Sequence, residues 1–217
     1  MNIDQARETM IKQQFRTWHV LDEPILEVLS RIPREDFVPP AYRNIAFADV
    51  PLPLDEGQVM MNPKQEARML QALQIQPDEE VLEVGTGSGY VTALLANRAK
   101  HVYSVEYHAR LLEQAREKLA QHGIKNISLE QGDAINGWHA RSMYEIIVLT
   151  GSVPVLPQTF LDALTVGGRL FAIIGSGPVM EATLITRTGN TQWTKKGLFE
   201  TELPALINAP RSEQFKF

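Results

Sequence analysis

The run Val81-Leu82-Glu83-Val84-Gly85-Thr86-Gly87-Ser88-Gly89-Tyr90 places three glycines at alternate positions directly behind an apolar stretch. Small residues in a strand-to-helix turn let the backbone approach a ligand, and the carboxyl edge of an open α/β sheet is where nucleotides bind. Thr86, Ser88 and Tyr90 fill the intervening positions of that turn. A dinucleotide fingerprint wants glycine at the sixth position counted from Gly85, and Tyr90 stands there, which argues against a nicotinamide dehydrogenase. No Gly-Lys-Ser/Thr follows, so a phosphate-binding P-loop is excluded. Glu106 lies 21 residues beyond Gly85, where a carboxylate at a strand end accepts hydrogen bonds from both ribose hydroxyls. Asp133, followed by Ala134, closes a third strand-like run; from there a carboxylate or a neighbouring backbone amide meets an adenine edge. Glu83 fits equally well as a structural partner at the turn or as a cofactor contact.

The elements that must position these groups follow from periodicity. Residues 81–85, 101–106 and 126–131 have strand character, and 89–97 and 108–122 have helical character. Such β-α-β-α-β alternation implies a parallel sheet. In 108–122 the apolar positions Leu111, Leu112, Ala115 and Leu119 share one face, and Gly123 ends the run. Residues 144–150 and 167–175 give two further strands, with a helical segment at 160–164 between them. Stretches 182–188 and 193–203, separated by Gly189-Asn190, predict a hairpin at the sheet edge and a mixed strand order. Ahead of the sheet, 3–16 and 24–31 are helical, 32–40 and 46–54 form a Pro-rich extended arm across the mouth of the sheet, and Asn62-Pro63 starts a helix to about residue 73. The expected fold class is α/β: a Rossmann-like, mostly parallel sheet with helices on both faces, an N-terminal helical arm and a C-terminal β addition. A change of character near Pro77-Asp78 divides the chain into residues 1–76, the helical arm and substrate-side segment, and residues 77–217, the cofactor-binding and catalytic domain, within one compact unit.

The 217 residues are 44% hydrophobic and 22% charged, enough for a real core and unlike a disordered chain. A net charge of −5 leaves no chain-wide basic field for nucleic acid or an anionic membrane. With no cysteine there is no disulfide framework, thiolate zinc site or Cys nucleophile, and a reducing compartment is expected. Asp4 and Glu8 sit where a signal peptide would be basic, and no apolar run reaches the roughly 18 residues of a membrane span, so a soluble cytoplasmic protein is expected. His108 and His139 have no second histidine at ligand spacing, and no metal is implied. Arg31, Arg34 and Arg43 are expected as solvated charges, and Met60 as a core residue.

Three successive strand ends directed at one nucleoside-shaped ligand resemble the layout of a class I S-adenosylmethionine-dependent methyltransferase. A narrower resemblance rests on IPREDFVPPAY (32–42), FADVPLPL (47–54), Gly57-Gln58, VLEVGTGSGY (81–90), SVE (104–106), GDAINGW (132–138), IIVLTGSVPVLP (146–157) and GGRLFAIIG (167–175). Together these segments resemble the protein-L-isoaspartate (D-aspartate) O-methyltransferase family. The resemblance implies methyl transfer from S-adenosyl-L-methionine to the free carboxylate of isoaspartyl residues in aged proteins and peptides. It assigns Glu83, Gly85 to Tyr90, Glu106, Asp133 and Ala134 to the cofactor and Trp138 to packing beneath the site. It leaves Asp49 open between loop hydrogen bonding and a substrate role. A carboxylate is already ionised at neutral pH, so the reaction needs positioning and partial desolvation, with no general base. The departure is at Val59-Met60-Met61, where the family reads Thr-Ile-Ser. Met61 stands at the serine position, and losing one hydrogen bond to a charged group costs roughly 1.5–3 kcal/mol, about a 10- to 150-fold slowing. The alternatives are a non-catalytic S-adenosylmethionine-binding paralogue or a methyltransferase for a different small acceptor.

Overall fold

A computed structural model describes residues 3–210 of the chain. The polar tail beyond, with its two phenylalanines, lies outside the described residues. Strands form where apolar side chains alternate between two faces of one sheet. Val81, Val102, Ile146, Val148, Phe171 and Ile173 enter one core cluster. Leu82, Val84, Val105, Ile147, Leu149, Leu170 and Ala172 enter the other. Burial on both faces accounts for the nearly continuous apolar runs seen in sequence.

The chain opens with α1 (Ile3–Thr9), a π-helical turn (Met10–Gln14), α2 (Phe15–Thr17), α3 (Glu23–Arg31) and α4 (Arg34–Phe37). A 3₁₀ turn (Pro40–Ile45) leads to a small hairpin, β1 (Leu52–Pro53) and β2 (Val59–Met60), and then to α5 (Pro63–Leu73). A capping box between Asn62 and Gln65, with Pro63 at the first helical position, starts α5 as the sequence indicates. The sheet proper alternates β3 (Glu80–Val84), α6 (Tyr90–Ala96), β4 (His101–Glu106), α7 (Ala109–Gln121) and β5 (Ile127–Gln131). It continues through β6 (Tyr144–Val153), α8 (Gln158–Asp162), β7 (Leu164–Ile174), β8 (Met180–Gly189) and β9 (Gln192–Thr201).

Strand order is β5-β4-β3-β6-β7-β8-β9. The strands from β3 to β7 pair parallel, and β8 and β9 add antiparallel at the edge. From β3 the chain steps outward to β4 and β5 and then returns to the other side of β3 as β6. The loops leaving β3 and β6 part company there, which opens a crevice at the strands' carboxyl ends. Leu94, Ala115 and Leu119 of α6 and α7, together with α3 and α5, cover one face. Phe160 and Leu161 of α8, with Ala134 and Ile135, cover the other.

Three expectations need correction. The extended arm over 32–54 is instead a short helix, a 3₁₀ turn and a two-stranded hairpin. Tertiary polar contacts hold that helix: Glu35 pairs with Arg7, and Arg34 donates a hydrogen bond to Glu66. Arg34 is therefore buried, at 1% exposure, although Arg31 and Arg43 do lie at the surface paired with Glu27 and Asp36. The Gly167-Gly168 pair does not precede β7 as a turn; it lies inside the strand, at a register shift opposite the start of β6.

Candidate functional site

The loop between β3 and α6 lies at the switch point of the sheet. Gly85 has φ of +99°, a backbone state that side chains disfavour, and a Cβ there would meet Thr150 Oγ1 at 2.3 Å. Thr150, on β6, donates to Val84 O at 2.9 Å and Gly85 O at 2.5 Å, so the loop is tied across the two central strands. The Glu106 carboxylate at the end of β4 accepts from Gly87 N at 2.8 Å and from His108 N at 3.0 Å. Two backbone donors fix its orientation, and lone pairs remain for a ligand's hydroxyls. At the end of β5, Asp133 accepts from Ile135 N at 3.1 Å and from Asn208 Nδ2 at 2.7 Å. Gly132 beside it has no room for a side chain, because a Cβ would lie 2.4 Å from the Trp138 ring.

These groups border one cleft. Gly85, Thr86, Gly87, Ser88, Glu106, Asp133 and Ala134 line it, and Met61 lines it as well, so the residues singled out in sequence largely converge. The hairpin carrying Leu54, Val59 and Met60 supplies another wall, fastened to α7 by Gln114 and Arg110, which both contact Asp55. Four of the singled-out residues lie elsewhere. Asp49 is exposed in a turn and does not line the cleft. Gly89 caps α6 and packs on α7, where a Cβ would come within 3.1 Å of Ala115. Tyr90 is buried behind the loop, its ring 5.4 Å from the Arg34 guanidinium carbon, and burial pushes its hydroxyl well above the ordinary tyrosine range.

Glu83 is fully buried on the α6 side of β3, and its Oε2 accepts from Thr92 Oγ1 and Ser104 Oγ, each at 2.6 Å. Ser104 also contacts Thr86 Oγ1 at 2.6 Å, so Glu83 anchors the loop from behind. Burial pushes its carboxyl up to about 8, against the pull of the two hydroxyls. The native state then holds a proton that the unfolded state releases above about 4.5, so this group's contribution makes stability fall as pH rises from about 4.5 to 8. A Glu83→Gln variant is expected to lack this slope: its melting temperature should gain roughly 3 °C per pH unit relative to the parent across that window. Parallel melting curves at pH 5, 6, 7 and 8 check it; a difference independent of pH would contradict a protonated Glu83.

Several cleft residues escape sequence reasoning. Leu203 to Ile207 cross the cleft after β9, tied to β6 by Ser152 N to Pro204 O and Leu206 N to Ser152 O, both 2.9 Å. His108 and Thr150 also line it, and nothing in their local sequence marks them. Glu66 lines it too, and here a signal existed: it shares the buried side of α5 with Pro63, Ala67, Leu70 and Leu73, an acid on an apolar helix face. Among the described residues no group of three or more His, Cys, Asp or Glu side chains could hold a metal ion. No helix among them is long and apolar enough to cross a membrane.

A doubly wound parallel sheet with an antiparallel edge, a glycine loop at its switch point and acidic residues at the next two strand ends defines a Rossmann-like methyltransferase fold. The cradle fits a nucleoside cofactor: Gly85 admits no Cβ, and Glu106 is held ready by two amides. Comparison with known proteins narrows the class. The sequence profile of the protein-L-isoaspartate(D-aspartate) O-methyltransferase family matches residues 5–204, and the chain belongs to that family of methyltransferases. It is 36% identical over 207 residues to the protein-L-isoaspartate O-methyltransferase of a Synechococcus species, covering 93% of this chain and 85% of that one. It is 41% identical over 169 residues to the Cronobacter sakazakii enzyme of the same name, covering 78% and 81%. A solved protein-L-isoaspartate O-methyltransferase superposes with a TM-score of 0.79 at 25% identity, over 92% of this chain and 65% of that longer one. A Plasmodium falciparum protein described by the same activity, in complex with S-adenosyl-L-homocysteine, superposes at 0.76 and 19% identity, over 92% and 97%, and shows the shared fold.

Proposed function

We propose that this chain transfers a methyl group from S-adenosyl-L-methionine to the free carboxylate of L-isoaspartyl and D-aspartyl residues in damaged cytoplasmic proteins. The observation that carries this reading is a single cleft that joins the Gly85–Ser88 loop, Glu106 and Asp133 to an apolar end at Met60 and Met61. Bound there, the cofactor supplies a sulfonium-activated methyl group, whose transfer to a carboxylate leaves a methyl ester. The loop amides and Glu106 hold the nucleoside end, and Asp133 with Ala134 serves the base. Leu54, Val59, Met60, Met61 and Leu203 surround the other end with apolar atoms. They strip water from an acceptor anion, which raises its reactivity toward a cationic methyl donor. The acceptor is ionised at neutral pH and needs orientation alone, which agrees with a wall of aliphatic and thioether side chains at that end. In this reading residues 1–76 form the substrate side and 77–217 the catalytic unit.

Labelled methyl transfer to a matched pair of peptides, one isoaspartyl and one aspartyl, at saturating cofactor, tests it. Transfer confined to the isoaspartyl peptide is expected. Equal labelling of both, or none from protein that binds S-adenosyl-L-homocysteine, would refute it.

A further inference from the structure

At the apolar end of the cleft neither Met60 nor Met61 carries a hydrogen-bond donor. Gln58 lines the cleft beside them, with its amide turned to Glu56 O at 3.2 Å, and one acid lines it as well. Glu66, on the first turns of α5, is 1% exposed. Its Oε1 takes a single bond, from Arg34 Nη1 at 3.2 Å, and its Oε2 has no partner although it is fully buried. Arg34 itself does not line the cleft: Nη2 donates to Met61 O at 2.7 Å, Nη1 also meets Met60 Sδ at 3.3 Å, Nε is buried without a partner, and the guanidinium lies against the Tyr90 ring. A buried polar atom without a partner is costly, and it calls for a group that completes it. An ionised carboxylate facing Arg34 would be expected to use both oxygens on the guanidinium fork. The single bond to Oε1 leaves Oε2 free to donate whenever the carboxyl is protonated.

We propose that Glu66 faces the methyl acceptor and, in its neutral form, donates a hydrogen bond from Oε2 to the acceptor carboxylate. This rests on the carboxyl-methylating reading above. The arrangement places Arg34, Glu66 and the acceptor in series, so the incoming anion supplies the counter-charge that buried Arg34 otherwise lacks. Burial pushes Glu66 up to about 8 despite the neighbouring guanidinium, so the donor form prevails at neutral pH. The titratable and charged groups packed around it are Arg34 from α4, Tyr90 from α6, and the Arg7–Glu35 pair behind them. Above pH 8 Glu66 ionises and repels the acceptor. Glu66 is thus a specificity device: it favours a carboxylate over a neutral or cationic acceptor.

The test is binding of a blocked, fluorescent isoaspartyl peptide to the protein saturated with S-adenosyl-L-homocysteine, from pH 6 to 9.5. With a midpoint near 8, the donor form falls from about nine-tenths at pH 7 to about one-tenth at pH 9, so affinity should weaken about tenfold. Glu66→Gln keeps an acceptor for Arg34 and an N–H for the peptide, and its affinity should be flat with pH. Glu66→Leu should bind the peptide at least tenfold more weakly at pH 7, with S-adenosyl-L-homocysteine affinity unchanged. A merely structural Glu66 would not move the pH profile. An alkaline loss in Glu66→Gln equal to the parent's, or a flat parent profile, overturns the assignment and leaves the isoaspartyl reading intact. Failure of the parent to bind the peptide at any pH overturns both.

Discussion

Alanine at position 85 is expected to weaken S-adenosyl-L-homocysteine binding by at least about 100-fold, a loss of roughly 2.7 kcal/mol. Two costs combine. The φ of +99° strains any residue with a Cβ, and that Cβ would overlap Thr150 Oγ1 at 2.3 Å. Thr150 has little freedom to withdraw, because its β-branched side chain is restricted at χ1 and its hydroxyl is bonded to Val84 O and Gly85 O. The loop must shift instead, carrying the Gly87 amide away from Glu106 and spoiling the cradle. Calorimetric titration of the folded variant reads the effect directly. Adding Thr150→Ala should recover part of the lost affinity; no recovery would place the whole cost in the backbone strain. An affinity within threefold of the parent would show that the ligand does not approach this turn.

The second large effect is on stability. Arg34→Ala should cost about 3–5 kcal/mol, because it leaves buried acceptors without a donor and opens a large void. Met61 O loses its donor at 2.7 Å, Glu66 loses its only bond, and the guanidinium leaves a void against Tyr90. Arg34→Lys should rescue little, since an ammonium cannot span the two directions that the planar fork serves. Urea unfolding of parent and variants measures this, with a midpoint change and an unchanged slope expected. A cost below 1 kcal/mol would mean that α4 is held by its apolar contacts alone. The same substitution withdraws the charge behind Glu66, so the residual folded protein should also bind an acidic peptide less well.

Both predictions concern groups whose importance is unequally legible in the sequence. The glycine loop, the acid 21 residues beyond Gly85 and the alternation of strands and helices are local: spacing and periodicity act within one or two elements, and β3 to β5 form where the pattern sets them. Convergence on one cleft follows for Gly85 to Ser88, Glu106 and Asp133, because the carboxyl ends of adjacent parallel strands meet at one edge. Periodicity is silent on partners far along the chain. Arg34 and Glu66 are 32 residues apart; the apolar face of α5 marks Glu66 for burial but not its partner, Arg34 alone has the character of a surface charge, and only the packing of α4 on α5 and α6 brings them together. Leu203 to Ile207 reach the cleft because Ser152 offers both backbone groups and a hydroxyl some fifty residues earlier. The arm that Pro-rich sequence marks as extended turns helical for the same reason, since long-range contacts through Arg7, Arg34, Glu35 and Glu66 outweigh weak local preference. The sequence by itself determined the sheet, the cofactor turn and the family. The tertiary structure decided which charges are buried, what closes the cleft and which polar side chains line it, because those depend on contacts between elements that no local pattern encodes.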